Sequence, residues 1–246
     1  MKLKTISKSY EEVMAMPRKK HRKPIRPNMF FRTLMRVASI PDLIATDFTC
    51  NKIGMEKLGK KEPCLYLMNH CSFIDPIVIH CLFWKRRIYS LATKDLYDTK
   101  LKAWLFHHMH CIQVDKQNFS LDSFHEVTLQ LKRGKIVSIF PEGQMNYAPE
   151  NMLAFKSGIV LMAHKAKVPI LPVYLVPPEN WHQRRVAVIG EPIDIRSLCG
   201  MIPTMDELNR AADYIHEKEE ELKQFYLNSQ KVSKEKTEEQ EEVVSK

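Results

Sequence analysis

The chain has 246 residues, a net charge of +9, 14 prolines against only 7 glycines, and six cysteines. That length suits one α/β domain that can bury its core without disulfides. It contains no G-x-G-x-x-G or G-K-[ST] run, which excludes a Rossmann or P-loop phosphate cradle, and no C-x-x-C pair, which predicts reduced thiols.

In chain order, the basic surplus comes first. Between Met1 and Pro27 the positions Lys2, Lys4, Lys8, Arg18, Lys19, Lys20, Arg22, Lys23 and Arg26 face only Glu11 and Glu12. Such a surplus predicts an anionic partner. No aromatic-rich RNA motif or helix-turn-helix pattern accompanies it, so the expected partner is a membrane lipid surface and not nucleic acid. The stretch Met29 to Ile44, MFFRTLMRVASIPDLI, places Phe30, Leu34, Val37 and Ala38 at helical spacing, with Arg32 and Arg36 one turn apart and Pro41 as a breaker. This predicts a short helix lying in the membrane interface, too short and too charged to span. Residues 1–48 therefore form a basic, amphipathic, membrane-associating segment. A peripheral location on the cytoplasmic side of a membrane is expected, with no signal peptide and no transmembrane helix.

Six short apolar runs follow: 63–69, 88–93, 110–115, 135–140, 168–176 and 184–190. Each predicts a strand. Between them, Leu121, Phe124, Thr128 and Leu131 share one helical face, and Phe155, Ile159 and Met162 share another. Strands alternating with helices predict an α/β domain over 49–228, a mostly parallel central sheet flanked by helices. After Pro203 a helix is expected through Leu208, Ala212, Ile215, Leu222 and Phe225, its apolar stripe on the domain. The remainder, 229–246, is charged, has little to bury and is expected to be disordered.

The chemistry is concentrated at NHCSFIDP, where His70 and Asp75 follow the first of these strands. Open α/β sheets build their sites outside the carboxyl ends of strands. A helix starting a few residues on folds Asp75 back beneath the imidazole. An aspartate accepting from one ring nitrogen sets the tautomer, frees the other nitrogen to take a proton, and stabilises the imidazolium that forms. With the hydroxyl supplied by substrate, this is a general base for acyl transfer to an alcohol. The other reading of the pair is a strand-end histidine held by a structural aspartate. A second run, Phe140-Pro141-Glu142-Gly143, also follows a strand and reaches the same edge. Glu142 there suits a polyol hydroxyl or the loop's own backbone donors, and Gly143 permits close approach. His107, His108, His110 and Cys111 lack the spacing of a zinc set, so no metal is expected.

On these motifs the chain resembles the glycerophospholipid acyltransferase family that includes 1-acylglycerol-3-phosphate acyltransferase, over roughly Cys64 to Asp194. Asn69, His70 and Asp75 match its N-H-x-x-x-x-D block. Thr93-Lys94-Asp95-Leu96 and Ile112-Gln113-Val114-Asp115-Lys116 look like the two ends of its second block, with His110 at the glycine position and Lys116 at the arginine position. Phe140 to Asn146 stands for F-P-E-G-T-R-S, with Met145 at the arginine. Phe155-Lys156-Ser157-Gly158 resembles the turn that follows, and Val168 to Val173 keeps V-P-I-x-P-V.

The resemblance implies a glycerol-3-phosphate acyltransferase-like fold behind an N-terminal amphipathic anchor. The implied reaction has His70 deprotonating a lysophospholipid hydroxyl that attacks acyl-CoA or an acyl-carrier-protein thioester, with Asp75 orienting His70. Acyl donor and lysophospholipid acceptor are then the small-molecule partners, and no resident cofactor is needed. Asn69, Lys94, Lys116, Phe140, Pro141, Glu142, Gly143 and Lys156 become the substrate-binding set. The replacements at Met145 and His110 leave open another acceptor (an aminolipid, a lysocardiolipin, or CoA-independent transacylation). A non-catalytic peripheral membrane protein on the same scaffold is the remaining alternative.

Overall fold

The computed structural model describes residues 51–54, 63–72, 75–82, 88–108, 110–114, 121–146, 152–177 and 186–244. The N-terminal segment 1–48 and Lys116 lie outside the described residues.

The strands are β1 (Asn51–Ile53), β2 (Leu65–Met68), β3 (Ile88–Thr93) and β4 (Cys111–Val114). They continue as β5 (Ile136–Ile139), β6 (Ile170–Leu175) and β7 (Val186–Ile189). The helices are α1 (Asp75–Leu82), α2 (Lys100–His108), α3 (Leu121–Lys132), α4 (Ser157–Ala166) and α5 (Met205–Val244). A 3-10 turn, Lys94–Tyr97, joins β3 to α2.

All six expected strands form, and β1 joins them in one sheet of order β1-β7-β6-β2-β5-β3-β4. The five strands from β6 to β4 are mutually parallel, while β7 runs antiparallel to β6 and carries β1 with it. The mostly parallel α/β fold is therefore as expected. Every residue of β2, β5 and β6 is buried, the pattern of strands covered on both faces. Alternation divides the core in two. Leu65 and Leu67 pack with Val127 and Leu131 of α3, Ile159 and Met162 of α4, and Leu208 and Ile215 of α5. Tyr66 and Met68 face the other way, with Val78 and Ile79 of α1. Two buried hydroxyls pair across the sheet: those of Ser90 and Ser138, opposite each other on β3 and β5, lie 2.8 Å apart.

This arrangement creates the site. β2 and β5 are neighbours, but β2 leads into α1 on one face and β5 leads into α4 on the other. Their carboxyl ends therefore open a crevice where the connections diverge, the usual place for a ligand in an open α/β sheet.

Three sequence expectations are corrected. Leu121 is 64% exposed, because it occupies the first turn of α3 and burial begins at Ser123. Phe225 is 56% exposed, because the contact face of α5 ends at Lys223 and no residue from 224 to 232 is buried. The charged tail is helical through Val244 instead of disordered. Its Glu, Lys and Gln residues are good helix formers, and a helix already anchored by Leu208 to Ile215 bears no fresh nucleation cost. No helix among the described residues is long and apolar enough to cross a membrane.

Candidate active site

The segment after β2 makes a tight loop around one carboxylate. Asp75 opens α1, followed by Pro76 in the first turn, where the missing N–H costs nothing. Its Oδ2 accepts from the backbone N–H of Cys71 at 2.9 Å, from that of Ser72 at 2.7 Å, and from His70 Nδ1 at 3.0 Å. Asp75 is 1% exposed, so this is a buried charge held by three donors. His70 keeps 17% of its side chain exposed. With Nδ1–H directed at Asp75, Nε2 is the basic nitrogen.

The turn after β5 closes over the imidazole. Phe140 stacks on His70 with ring centroids 4.1 Å apart and 19° between planes. Gly143 N–H donates to the Phe140 carbonyl at 3.1 Å, and Asn146 N–H donates to the His70 carbonyl at 2.7 Å, tying the two motifs together. Gly143 has φ +71, and a Cβ there would lie 2.7 Å from Lys156 Nζ. The positive φ disfavours a side chain here, and a Cβ would also push the flexible Lys156 ammonium aside.

Glu142 is buried beneath this turn. No donor meets either carboxylate oxygen in hydrogen-bonding geometry. Burial pushes its pKa up. The nearby N–H groups of His70 and Leu153, the His70 ring and the Asn146 side chain offset this only partly.

The expected site residues divide into groups. His70, Asp75, Phe140, Pro141, Glu142, Gly143 and Lys156 come together at the β2 and β5 ends. Within that group Pro141 is buried, so its contribution is to shape the turn. Lys94 is exposed at the carboxyl end of β3, the same edge of the sheet. Asn69 has a different task from the substrate contact expected of it. Its Nδ2 donates to the Leu175 carbonyl at 2.9 Å and its Oδ1 accepts from Leu175 N–H at 2.6 Å, so the side chain clips β2 to β6. His110, at the glycine position of the second block, has φ +62, the left-handed conformation that glycine adopts without strain. Met145 is half-buried beside the turn. Among the described residues no three His, Cys, Asp or Glu side chains form a metal-binding group.

Two features escaped the sequence reading. The Phe140 ring, placed in the substrate-binding set from sequence, stacks on the imidazole. Glu219 of α5, completely buried, lies near both Glu142 and the Asn69 N–H. The available signal was its place four residues after Ile215 on the buried stripe.

Comparison with known proteins agrees with this picture. The model of the Acyltransferase family matches residues 49–176. A probable 1-acyl-sn-glycerol-3-phosphate acyltransferase of Mycoplasma genitalium is 31% identical over 127 residues, 49% of this chain and 47% of that protein. The 1-acyl-sn-glycerol-3-phosphate acyltransferase of Saccharomyces cerevisiae is 29% identical over 49% of this chain and 41% of its own. The chain thus spans about half the length of these relatives. The Streptococcus pneumoniae protein of the same name is 22% identical over 84% of this chain and 80% of its own. Among solved structures, the 1-acyl-sn-glycerophosphate acyltransferase of Thermotoga maritima superposes with a TM-score of 0.59 at 19% identity, covering 80% of this chain and 78% of that one. The fold is shared.

Proposed function

The chain belongs to the acyltransferase family, and from that membership we propose that it transfers a fatty acyl group from acyl-CoA or acyl-carrier protein to a lysophospholipid hydroxyl. The acceptor is 1-acylglycerol-3-phosphate and the product phosphatidate. The observation that carries the reading is the three-donor cradle of Asp75 with His70 Nδ1 at 3.0 Å, set at the carboxyl edge of the sheet.

In this reaction the acceptor hydroxyl approaches His70 Nε2. As its oxygen attacks the thioester carbonyl, the proton passes to the imidazole, and Asp75 stabilises the resulting imidazolium. The tetrahedral intermediate then collapses. The C–S bond breaks, the carrier thiolate leaves, and the imidazolium returns the proton to it. One C–O bond replaces one C–S bond, with no covalent enzyme intermediate and no resident cofactor. General-base assistance of this kind is worth roughly 10²–10⁴-fold.

Lys156 over Gly143, with Lys94 and Lys116 from the second block, supplies positive charge for the acceptor phosphate. A lysine holds phosphate as a point charge, without the planar fork of arginine. Met145 in the third block favours a second reading, the same chemistry on an acceptor without a phosphomonoester, such as an aminolipid or a lysocardiolipin. The enzyme works at the cytoplasmic surface of a membrane. Exposed Leu101 and Trp104 beside Lys100 and Lys102 on α2 support that placement, as the basic segment 1–48 does in sequence.

The test is release of free CoA thiol by purified protein in detergent micelles, with palmitoyl-CoA and a panel of acceptors, and His70→Ala in parallel. Release that needs both lysophosphatidate and His70 supports the proposal. Release with only another acceptor moves the substrate to the second reading. Silence with both CoA and carrier-protein donors leaves a non-catalytic scaffold.

A further inference from the structure

The sheet order gathers several features at one edge. His70 follows β2, the Phe140–Gly143 turn follows β5 and Lys94 follows β3. These strands are parallel, so all three features stand at their carboxyl ends. β7 runs antiparallel to β6, and β1 runs parallel to β7. β1 therefore starts where the parallel strands finish. Asn51 pairs with Val186, whose carbonyl accepts from the N–H of Val176 just past the end of β6. Residues 1–50, with their basic surplus, thus join the domain at the edge that carries the candidate active site.

The other flank of that edge carries α2. In the sheet order β2 is central, with β1 on one side and β3 on the other. At about 4.8 Å per strand, β1 and β3 stand roughly 14 Å and roughly 10 Å from it. α2 leaves the end of β3 through the Lys94–Tyr97 turn, so it starts at the same edge. Its inner side is marked by half-buried Phe106, whose ring centroid lies 5.3 Å from that of Tyr97. Its outer side presents Leu101, 72% exposed, and Trp104, 44% exposed, one turn apart on one face. Lys94, Lys100 and Lys102 are exposed on the same segment, as are Asp95 and Asp98, the latter held by Lys102 at 2.9 Å.

A leucine and a tryptophan set among lysines have the composition of a bilayer interface, where the rings and alkyl stems are covered and the ammonium groups reach the headgroups. A second exposed apolar cluster, Met201, Ile202 and Met205, does not fit that role. It adjoins Gly200, whose carbonyl lies 2.9 Å from Nε2 of His164 in the last turn of α4, at the amino edge of the sheet. The acidic first turn of α5, with Asp206 and Glu207, follows it. Like charge repels an anionic surface there, whereas Lys94 and Lys100 attract it at α2.

We propose that the domain docks on an anionic phospholipid bilayer by the carboxyl edge of its sheet, with the Leu101–Trp104 face of α2 inserted at the interface. α2 and the entering N-terminal segment then hold the bilayer from both sides of the His70 crevice, whose mouth faces the lipid. This deepens the proposed function by naming the surface from which the site draws its acceptor, and only the kinetic consequence rests on that reading.

The full chain is tested for co-sedimentation with vesicles of phosphatidylcholine alone and of phosphatidylcholine mixed with phosphatidylglycerol. Leu101→Ser combined with Trp104→Ser is expected to weaken partition onto the mixed vesicles by roughly tenfold or more. Lys100→Gln combined with Lys102→Gln is expected to weaken it by a similar factor at low salt, and far less at high salt, where the attraction is already screened. Ile202→Ser, which removes an exposed apolar side chain at the opposite edge, is expected to bind as the wild type does. Insertion is read from Trp104 emission in a protein carrying Trp84→Phe and Trp181→Phe. That emission is expected to shift to the blue on the mixed vesicles and to be quenched by brominated acyl chains. In thiol release, Leu101→Ser with Trp104→Ser is expected to slow turnover of a vesicle-borne acceptor by roughly tenfold. Turnover of a short-chain acceptor free in solution is expected to stay unchanged, whereas a merely structural role would lower both.

Wild-type partition of the Leu101→Ser, Trp104→Ser protein would overturn the proposal. So would Trp104 emission unmoved by vesicles that sediment the protein, or a wild type that binds no vesicles. A loss confined to Ile202→Ser would overturn it too, by putting the docking face at the amino edge. If the Trp84→Phe, Trp181→Phe protein does not fold, the partition series alone decides. If the wild type releases no thiol with any acceptor, the acyl-transfer reading fails, and partition and emission still judge the docking.

Discussion

The phenyl ring of Phe140 lies stacked on the imidazole of His70, 4.1 Å between centroids and 19° between planes, although seventy residues separate them in sequence. One face of the base is thereby sealed by an apolar ring, and the ring plane is set by packing as well as by the bond to Asp75. A stacked aromatic pair is worth about 0.5–1.5 kcal/mol beyond its buried area. Removing it should therefore cost up to about tenfold in rate if the whole energy serves to orient the base. Phe140→Leu is expected to lower kcat by roughly three- to tenfold, with Phe140→Tyr close to wild type. Steady-state thiol release for the three proteins checks this, and equal kcat in the leucine variant would remove the orienting role.

Asp75 is held to a single arrangement by three donors. Asp75→Asn retains one acceptor oxygen, which suffices for part of the loop but does not stabilise an imidazolium. Its amide can also donate to Nδ1, which selects the wrong tautomer. A loss of roughly 10²–10⁴ in kcat is expected, with the unfolding temperature lowered far less than by Asp75→Ala. The alanine protein leaves the Cys71 and Ser72 N–H groups without their acceptor, at about 1–3 kcal/mol for each group buried unsatisfied. Thermal unfolding and turnover, measured together on both variants, separate these effects.

Gly143 is held at φ +71 under the Lys156 ammonium. Gly143→Ala forces a left-handed conformation on a residue with a Cβ, at about 1–2 kcal/mol, and displaces Nζ from its seat. The expected result is a modest fall in unfolding temperature with a raised KM for a phosphate-bearing acceptor. Lys156→Met, which keeps the length but not the charge, should raise that KM without the stability cost. An unchanged KM in both proteins would take Lys156 out of acceptor binding.

Asn69 makes a bond pair with the Leu175 backbone that no apolar residue reproduces. Asn69→Ala leaves a buried N–H and a buried carbonyl unpaired at the junction of β2 and β6. A destabilisation of about 2 kcal/mol is expected, which for a chain of this size lowers the unfolding temperature by roughly 4–8 °C. Activity measured well below that transition should fall less than in the Asp75 variants. A loss of turnover without a loss of stability would return Asn69 to the substrate-binding set.

The sequence by itself determined six of the seven strands, the α/β class and the pairing of His70 with Asp75. Each rests on local physics. Buried parallel strands are short continuous apolar runs, and a carboxylate a few residues beyond a strand end folds back when a helix begins there. The left-handed His110 was also marked, as the position where the second block of the resembling family carries glycine. Tertiary structure decided what depends on elements remote in sequence. Asn69 reads as a motif residue until β6 arrives beside β2 and supplies Leu175. Phe140 reads as a motif residue, and only the β5 turn shows that it lies on His70. Glu219 reads as one more charge in a glutamate-rich helix until the register of α5 buries it near Glu142. Propensity and periodicity report which way a side chain faces on its own element. What it meets there is set by strand order and helix register, which arise only when the whole core packs.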